Sequence, residues 1–123
     1  MEVTGNGPSN FDEFGNTTTE QGFKALFEMD ATQHVEHRTA YPAALLLVGM
    51  NNPRTDPWYS AKFAAHLQAA TTSGKPVLLR VNYGGGHFAG EGLGENEALE
   101  SMADMISFDL WQLGAPEFQP RRY

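Results

Sequence analysis

The stretch "AALLLVGMNNPRTDPWYS", residues 43–60, decides the fold. From Ala43 to Val48 every position is apolar, which suits a parallel strand buried on both faces rather than the alternating pattern of a half-buried one. The turn-rich "GMNNPRTD" ends in Asp56 and Pro57, a good helix entrance. There the carboxylate can accept from free first-turn amides, and proline fills the first helical position without wasting a donor. Phe63, Ala64, Leu67 and Ala70 then recur at helical spacing, with Gly74 placed to stop the helix. A second strand follows in "KPVLLRVNY", residues 75–83, whose Val77, Leu78, Leu79 and Val81 read as buried. Strand, helix, strand is the order of a parallel α/β unit, and a right-handed crossover sets the two strands side by side. Ligand sites in such units lie off the carboxyl ends of the strands. The loop after Val48 and the "GGGH" of residues 84–87 are therefore expected to meet in space.

Working outward, the first sixteen residues are rich in Gly, Asn and Pro and read as irregular. Order is expected to begin near Thr17, where "TTTEQGFKALFEMD" offers Thr17 and Glu20 as a capping box and sets Phe23, Leu26 and Phe27 on one helical face. On the other side, "ENEALESMADMISFDLWQLG" predicts a helix over 95–114. Leu99, Met102, Ile106, Leu110 and Leu113 form its stripe, with Met105, Phe108 and Trp111 beside it. The expected organisation is an irregular segment over 1–16, one α/β domain of two parallel strands and about three helices over 17–114, and a tail over 115–123.

Composition excludes several function classes. A net charge of −7, with no basic cluster beyond Arg121-Arg122, argues against nucleic acid as a partner. The absence of cysteine removes disulfides, thiolate metal sites and a thiol nucleophile. The longest apolar run is too short for a bilayer, and "MEVTGNGPSN" lacks the basic end and apolar stretch of a signal peptide, so no membrane association and a cytoplasmic location are the default. Chemistry must rest on hydroxyls, carboxylates and histidines. His34 and His37 stand three apart without an evident third ligand, so neither a metal nor another cofactor is expected.

The segments "YPAALLLVGMNNPRTDPWYSAKFAAHLQAAT", "KPVLLRVNYGGGHFAGEG" and "ADMISFDLWQLG" resemble the C-terminal part of the peptidase domain of the prolyl oligopeptidase family, serine hydrolases of the α/β-hydrolase fold. In that family the first loop has the form N-D-P-R-V, whose aspartate is the triad acid and whose arginine helps bind substrate. Here it reads Asn51-Asn52-Pro53-Arg54-Thr55, which puts an amide, Asn52, at the acid position and Arg54 at the arginine. His87 matches the catalytic histidine. The family's nucleophilic serine lies in an upstream glycine-rich motif, and no G-x-S-x-G occurs in this chain. The resemblance also implies a truncated α/β-hydrolase unit whose two strands belong to one end of a longer sheet. An all-apolar strand with an open edge is expected to be covered by self-association, as a homodimer or higher homo-oligomer.

The site implied by the resemblance comprises His87 as general base, Asn52 at the acid position, and Arg54 with the backbone amides of Gly85 and Gly86 binding substrate. Of Ser9, Ser60, Ser73, Ser101 and Ser107, Ser60 lies nearest the strand ends and is the nucleophile candidate on the chain. An amide cannot support an imidazolium electrostatically, and in a well-studied triad the same exchange costs about 10⁴-fold in turnover. Two functions follow as expectations: a minimal serine hydrolase acting on small ester or peptide substrates with a non-standard or partner-supplied nucleophile, or a non-catalytic interaction module. Bland readings stand beside them: Asp56 as a helix cap, and Arg54 paired with Asp56 or Glu91 at the surface.

Overall fold

Two parallel strands, β1 (Ala44–Gly49) and β2 (Val77–Asn82), pair in a register that runs from Ala44 opposite Val77 to Gly49 opposite Asn82. Both strands thus end at the same level, and the loops that follow them leave the sheet together. This is a computed structural model, and it describes residues 7–120. Four helices accompany the sheet: α1 (Phe11–Phe14), α2 (Glu20–Met29), α3 (Pro57–Ala70) and α4 (Glu95–Gln112). No helix among the described residues is long and apolar enough to cross a membrane.

The core lies between the sheet and α3. Ala64, Leu67 and Ala70, on one face of α3, are buried together with Val48 and Val77. Small residues on that face let the helix sit close to the strands, and Gln68 ties it to the β2 entrance by donating to the Val77 carbonyl at 2.8 Å. Helix α4 attaches differently. Its one buried residue is Ser101, whose hydroxyl accepts from Arg80 Nε and Asn82 Nδ2, each at 3.2 Å. An ion pair from Arg80 to Asp104 at 2.8 Å lies one turn further along. The apolar contacts in this layer are left open as a groove of about 880 Å³ lined by Leu45, Leu78, Phe108, Trp111 and Phe118 among others.

Several expectations need correction. The strands are not covered on both faces: Leu47 and Leu78, which point away from α3, remain 37% and 43% exposed, and a groove lies open between the sheet and Phe108 and Trp111 of α4. The stripe of Leu99, Met102 and Ile106 is exposed, and the buried residue of α4 is Ser101. Within 17–114 the three expected helices are α2, α3 and α4, and the fourth α-helix among the described residues, α1, precedes them. The segment expected to be irregular contains a 3-10 turn at Gly7–Asn10 and the short α1. The part of that call before residue 7, and the Arg121-Arg122 pair at the end of the tail, lie outside the described residues; within the tail, Pro116–Phe118 forms a 3-10 turn. Helix α2 is capped by Thr19, not Thr17: its hydroxyl accepts from Gly22 N at 3.1 Å. Helix α3 ends at Ala70, four residues before Gly74, which instead takes a left-handed φ of 68° in the turn into β2. Asp56 is the residue preceding α3 and Pro57 its first residue, but the Asp56 carboxylate makes no capping hydrogen bond to the first turn.

Candidate active site

The two loops that leave the strand ends are joined along a seam of backbone bonds. Met50 N donates to the Asn82 carbonyl at 3.0 Å, and Asn51 N to that of Gly85 at 2.9 Å. The Asn51 side-chain amide adds bonds to the carbonyls of Tyr83 and Gly84 at 3.2 and 3.3 Å. Glycine at 49 is what permits this approach. A Cβ there would stand 2.2 Å from the Gly86 carbonyl oxygen and 2.5 Å from that of Gly85.

Across the seam, His87 Nδ1 lies 3.2 Å from Asn52 Oδ1. Asn52 is itself held by a tight local turn. Its Oδ1 accepts from Arg54 N at 2.9 Å and Thr55 N at 3.2 Å, and its Nδ2 donates to Thr55 Oγ1 at 2.9 Å. Thr55 carried no signal of its own in the sequence, although its spacing of three from an asparagine suits such a turn.

The second loop is closed by Glu91. Its Oε2 accepts from His87 N at 2.6 Å and Phe88 N at 2.9 Å, while its backbone carbonyl accepts from Gly86 N at 2.8 Å. The backbone donors of Phe88 and His87 hold the Glu91 carboxyl below its ordinary range, and the charges of His87 and Arg54 act in the same direction. Sequence reading gave Glu91 only a surface partnership with Arg54. The Arg54 guanidinium is in fact stacked over the Phe88 ring, 5.2 Å from its centroid, and the same ring meets His87 edge-on at 4.9 Å.

Three sequence candidates are placed otherwise than expected. The amides of Gly85 and Gly86 are spent on the Asn82 and Glu91 carbonyls, so the loop does not present them to a substrate. Ser60 is half-buried in the first turn of α3, and among the described residues no hydrogen bond joins it or any other serine to His87. Ser101 is committed to Arg80 and Asn82, and Ser73 to the Thr71 turn. His34, in a 3-10 turn, has Nε2 at 3.2 and 3.1 Å from the Phe27 and Glu28 carbonyls near the end of α2. Among the described residues no three His, Asp or Glu side chains gather as a metal site.

His87 is thus held through Nδ1 at a strand-end loop, and its Nε2 has no hydrogen-bond partner among the described residues. A profile of the prolyl oligopeptidase family matches residues 6–115. The chain belongs to the prolyl oligopeptidase family. It is 34% identical over 92 residues to a prolyl endopeptidase of Elizabethkingia miricola, covering 75% of this chain and 13% of that protein. Protease 2 of Moraxella lacunata is 28% identical over 104 residues, 85% of this chain and 15% of the relative. Among solved structures, one from an analysis of two prolyl endopeptidases and their inter-domain dynamics superposes with a TM-score of 0.80 at 29% identity, covering 94% of this chain and 16% of that one. Prolyl oligopeptidase B of Galerina marginata, solved with a 35mer substrate of hydrolysis and macrocyclization, gives a TM-score of 0.71 at 25% identity over 88% of this chain and 15% of its own. The chain thus spans about one-seventh of the length of these relatives. Its fold is that of the corresponding portion of an α/β-hydrolase.

Proposed function

We propose that this prolyl oligopeptidase-family chain contributes the histidine half of a serine-hydrolase site, with His87 as general base in the hydrolysis of small ester or peptide substrates. The observation that carries the reading is His87 Nδ1 engaged by Asn52 while Nε2 has no partner among the described residues. A serine hydroxyl brought to Nε2 would lose its proton to the ring as its oxygen attacks the substrate carbonyl, and the ring would return that proton to the leaving group. The nucleophile is taken to come from polypeptide other than the serines of residues 7–120, all of which lie without a bond to His87. Arg54, exposed beside His87 on the Phe88 ring, is the group suited to a substrate carbonyl or carboxylate. The names of the relatives, prolyl endopeptidases, favour a peptide over an ester.

The test is turnover of an activated ester together with fluorophosphonate labelling and mapping of the modified residue. Hydrolysis that falls in His87→Ala, with a label on a serine of a separate polypeptide, supports the reading. Turnover equal to that of imidazole in buffer, or undiminished in His87→Ala, overturns it. A label on Ser60 would move the nucleophile to α3. The second reading, a non-catalytic interaction module, is favoured by one observation, the uncharged amide at the acid position. Open apolar surface on the sheet and on α4 supports completion of the unit by a second copy of the chain.

A further inference from the structure

We infer that Asn52 selects the tautomer of His87, holding its neutral ring with the proton on Nδ1 and the lone pair on Nε2, and that the backbone N–H groups of Arg54 and Thr55 keep the amide the right way round. One atom of Asn52 faces three groups: Arg54 N at 2.9 Å, Thr55 N at 3.2 Å and His87 Nδ1 at 3.2 Å. Backbone N–H groups can only donate, so the atom facing them is the carbonyl oxygen, and this network identifies which end of the amide it is. His87 Nδ1 must then be the donor. A neutral imidazole that donates through Nδ1 carries its acceptor lone pair on Nε2, the state a general base requires.

An amide differs from a carboxylate in having a wrong end. In the best-studied serine triad the acid-to-amide exchange costs about 10⁴-fold because the histidine takes the wrong tautomer. Here the turn prevents that outcome. Reversing Asn52 would aim its NH₂ at two backbone N–H groups, which cannot accept, whereas the Thr55 hydroxyl beside Nδ2 at 2.9 Å can donate as well as accept and suits either end. With two hydrogen bonds at stake, the upright amide is favoured by roughly tenfold or more. The backbone amides of the turn therefore fix which end of Asn52 meets His87. The catalytic consequence rests on the proposed role of His87 as general base, whereas the tautomer itself does not.

Long-range proton–nitrogen correlation spectra of the full chain labelled with ¹⁵N-histidine, recorded above about pH 7.5 where an ordinary imidazole is neutral, read the tautomer directly. The wild type is expected to show a protonated Nδ1 and a pyridine-like Nε2. A predominantly protonated Nε2 overturns the inference without any substitution being needed, and without bearing on whether the protein turns over an ester. Asn52→Ala, which removes the acceptor, is expected to raise the other tautomer severalfold, and Asn52→Asp to keep Nδ1 protonated, since a carboxylate has no donor to misplace. Thr55→Val, which keeps the backbone N–H groups, is expected to retain the wild-type pattern. An unchanged tautomer ratio in a folded Asn52→Ala overturns the role of Asn52. A loss of hydrolysis with the wild-type pattern intact would count against the proposed function and leave this inference standing.

Discussion

Glu91 accepts the backbone amide of His87 at 2.6 Å, so the loop that presents the imidazole is closed by a carboxylate four residues further on. The same oxygen takes Phe88 N at 2.9 Å, and these donors hold the carboxyl below its ordinary value of 4.5. A depressed folded-state value means that the loop closure contributes stability above the ordinary glutamate range and loses it as pH falls through the lowered value. The His87 and Phe88 amide resonances should therefore move together with a midpoint below pH 4.5, and Glu91→Gln should abolish the movement while keeping the loop. A midpoint at or above the ordinary value would show that these bonds do not form.

The loop seam depends on glycine at 49. Because an added Cβ would lie 2.2 Å from the Gly86 oxygen, Gly49→Ala must push the two loops apart, at a cost of about 2 kcal/mol by analogy with overpacked cores. Urea denaturation should show that loss. Contact between Asn52 and His87 should weaken in the same variant, because both ride on the separated loops. A variant as stable as the wild type would mean that the loops are not held this closely.

How much of this was legible in the sequence can be followed residue by residue. The order of β1, α3, β2 and α4 came from apolar runs and helical spacing, which depend on each segment's own residues and need no knowledge of neighbours. Burial was less legible, because it depends on what lies opposite. Leu99, Met102 and Ile106 have the spacing of a core stripe, yet Ser101 is the buried residue of α4, since Arg80 and Asn82 on β2 require an acceptor. The meeting of the two loops followed from the right-handed crossover, and the pairing of Asn52 with His87, thirty-five residues apart, from resemblance to a family. The loop-closing role of Glu91 and the contact of Thr55 with Asn52 escaped notice because they are hydrogen bonds to backbone amides and to another side chain, and no residue pattern records these.

Ser101 gives the polar attachment of α4 a direct test. Removing its hydroxyl leaves Arg80 Nε and Asn82 Nδ2 without their acceptor in a part-buried layer, so Ser101→Ala should destabilise the chain by about 1–2 kcal/mol. Asp104 is far more exposed, and Asp104→Asn should cost less than about 1 kcal/mol despite removing an ion pair at 2.8 Å. Denaturation of the two variants in parallel checks the order. The reverse order would mean that the ion pair, not the hydroxyl, holds the helix.

The outer face of α4 carries the last prediction. Leu99, Met102 and Ile106 stand 57, 55 and 49% exposed, three and four residues apart on one side of the helix, and Leu47 and Leu78 add apolar area on the sheet. A chain that must cover these faces with a second copy should scatter light as a dimer or larger assembly at micromolar concentration. The paired change Met102→Glu and Ile106→Lys puts charge on that face without touching Ser101 or the Arg80 contacts, so it should yield a monomer with helix content unchanged. A wild-type particle of 13.5 kDa would sink the idea at once. An assembly that survives the paired change would place the contact elsewhere, with the open edge of β1 as the next surface to block.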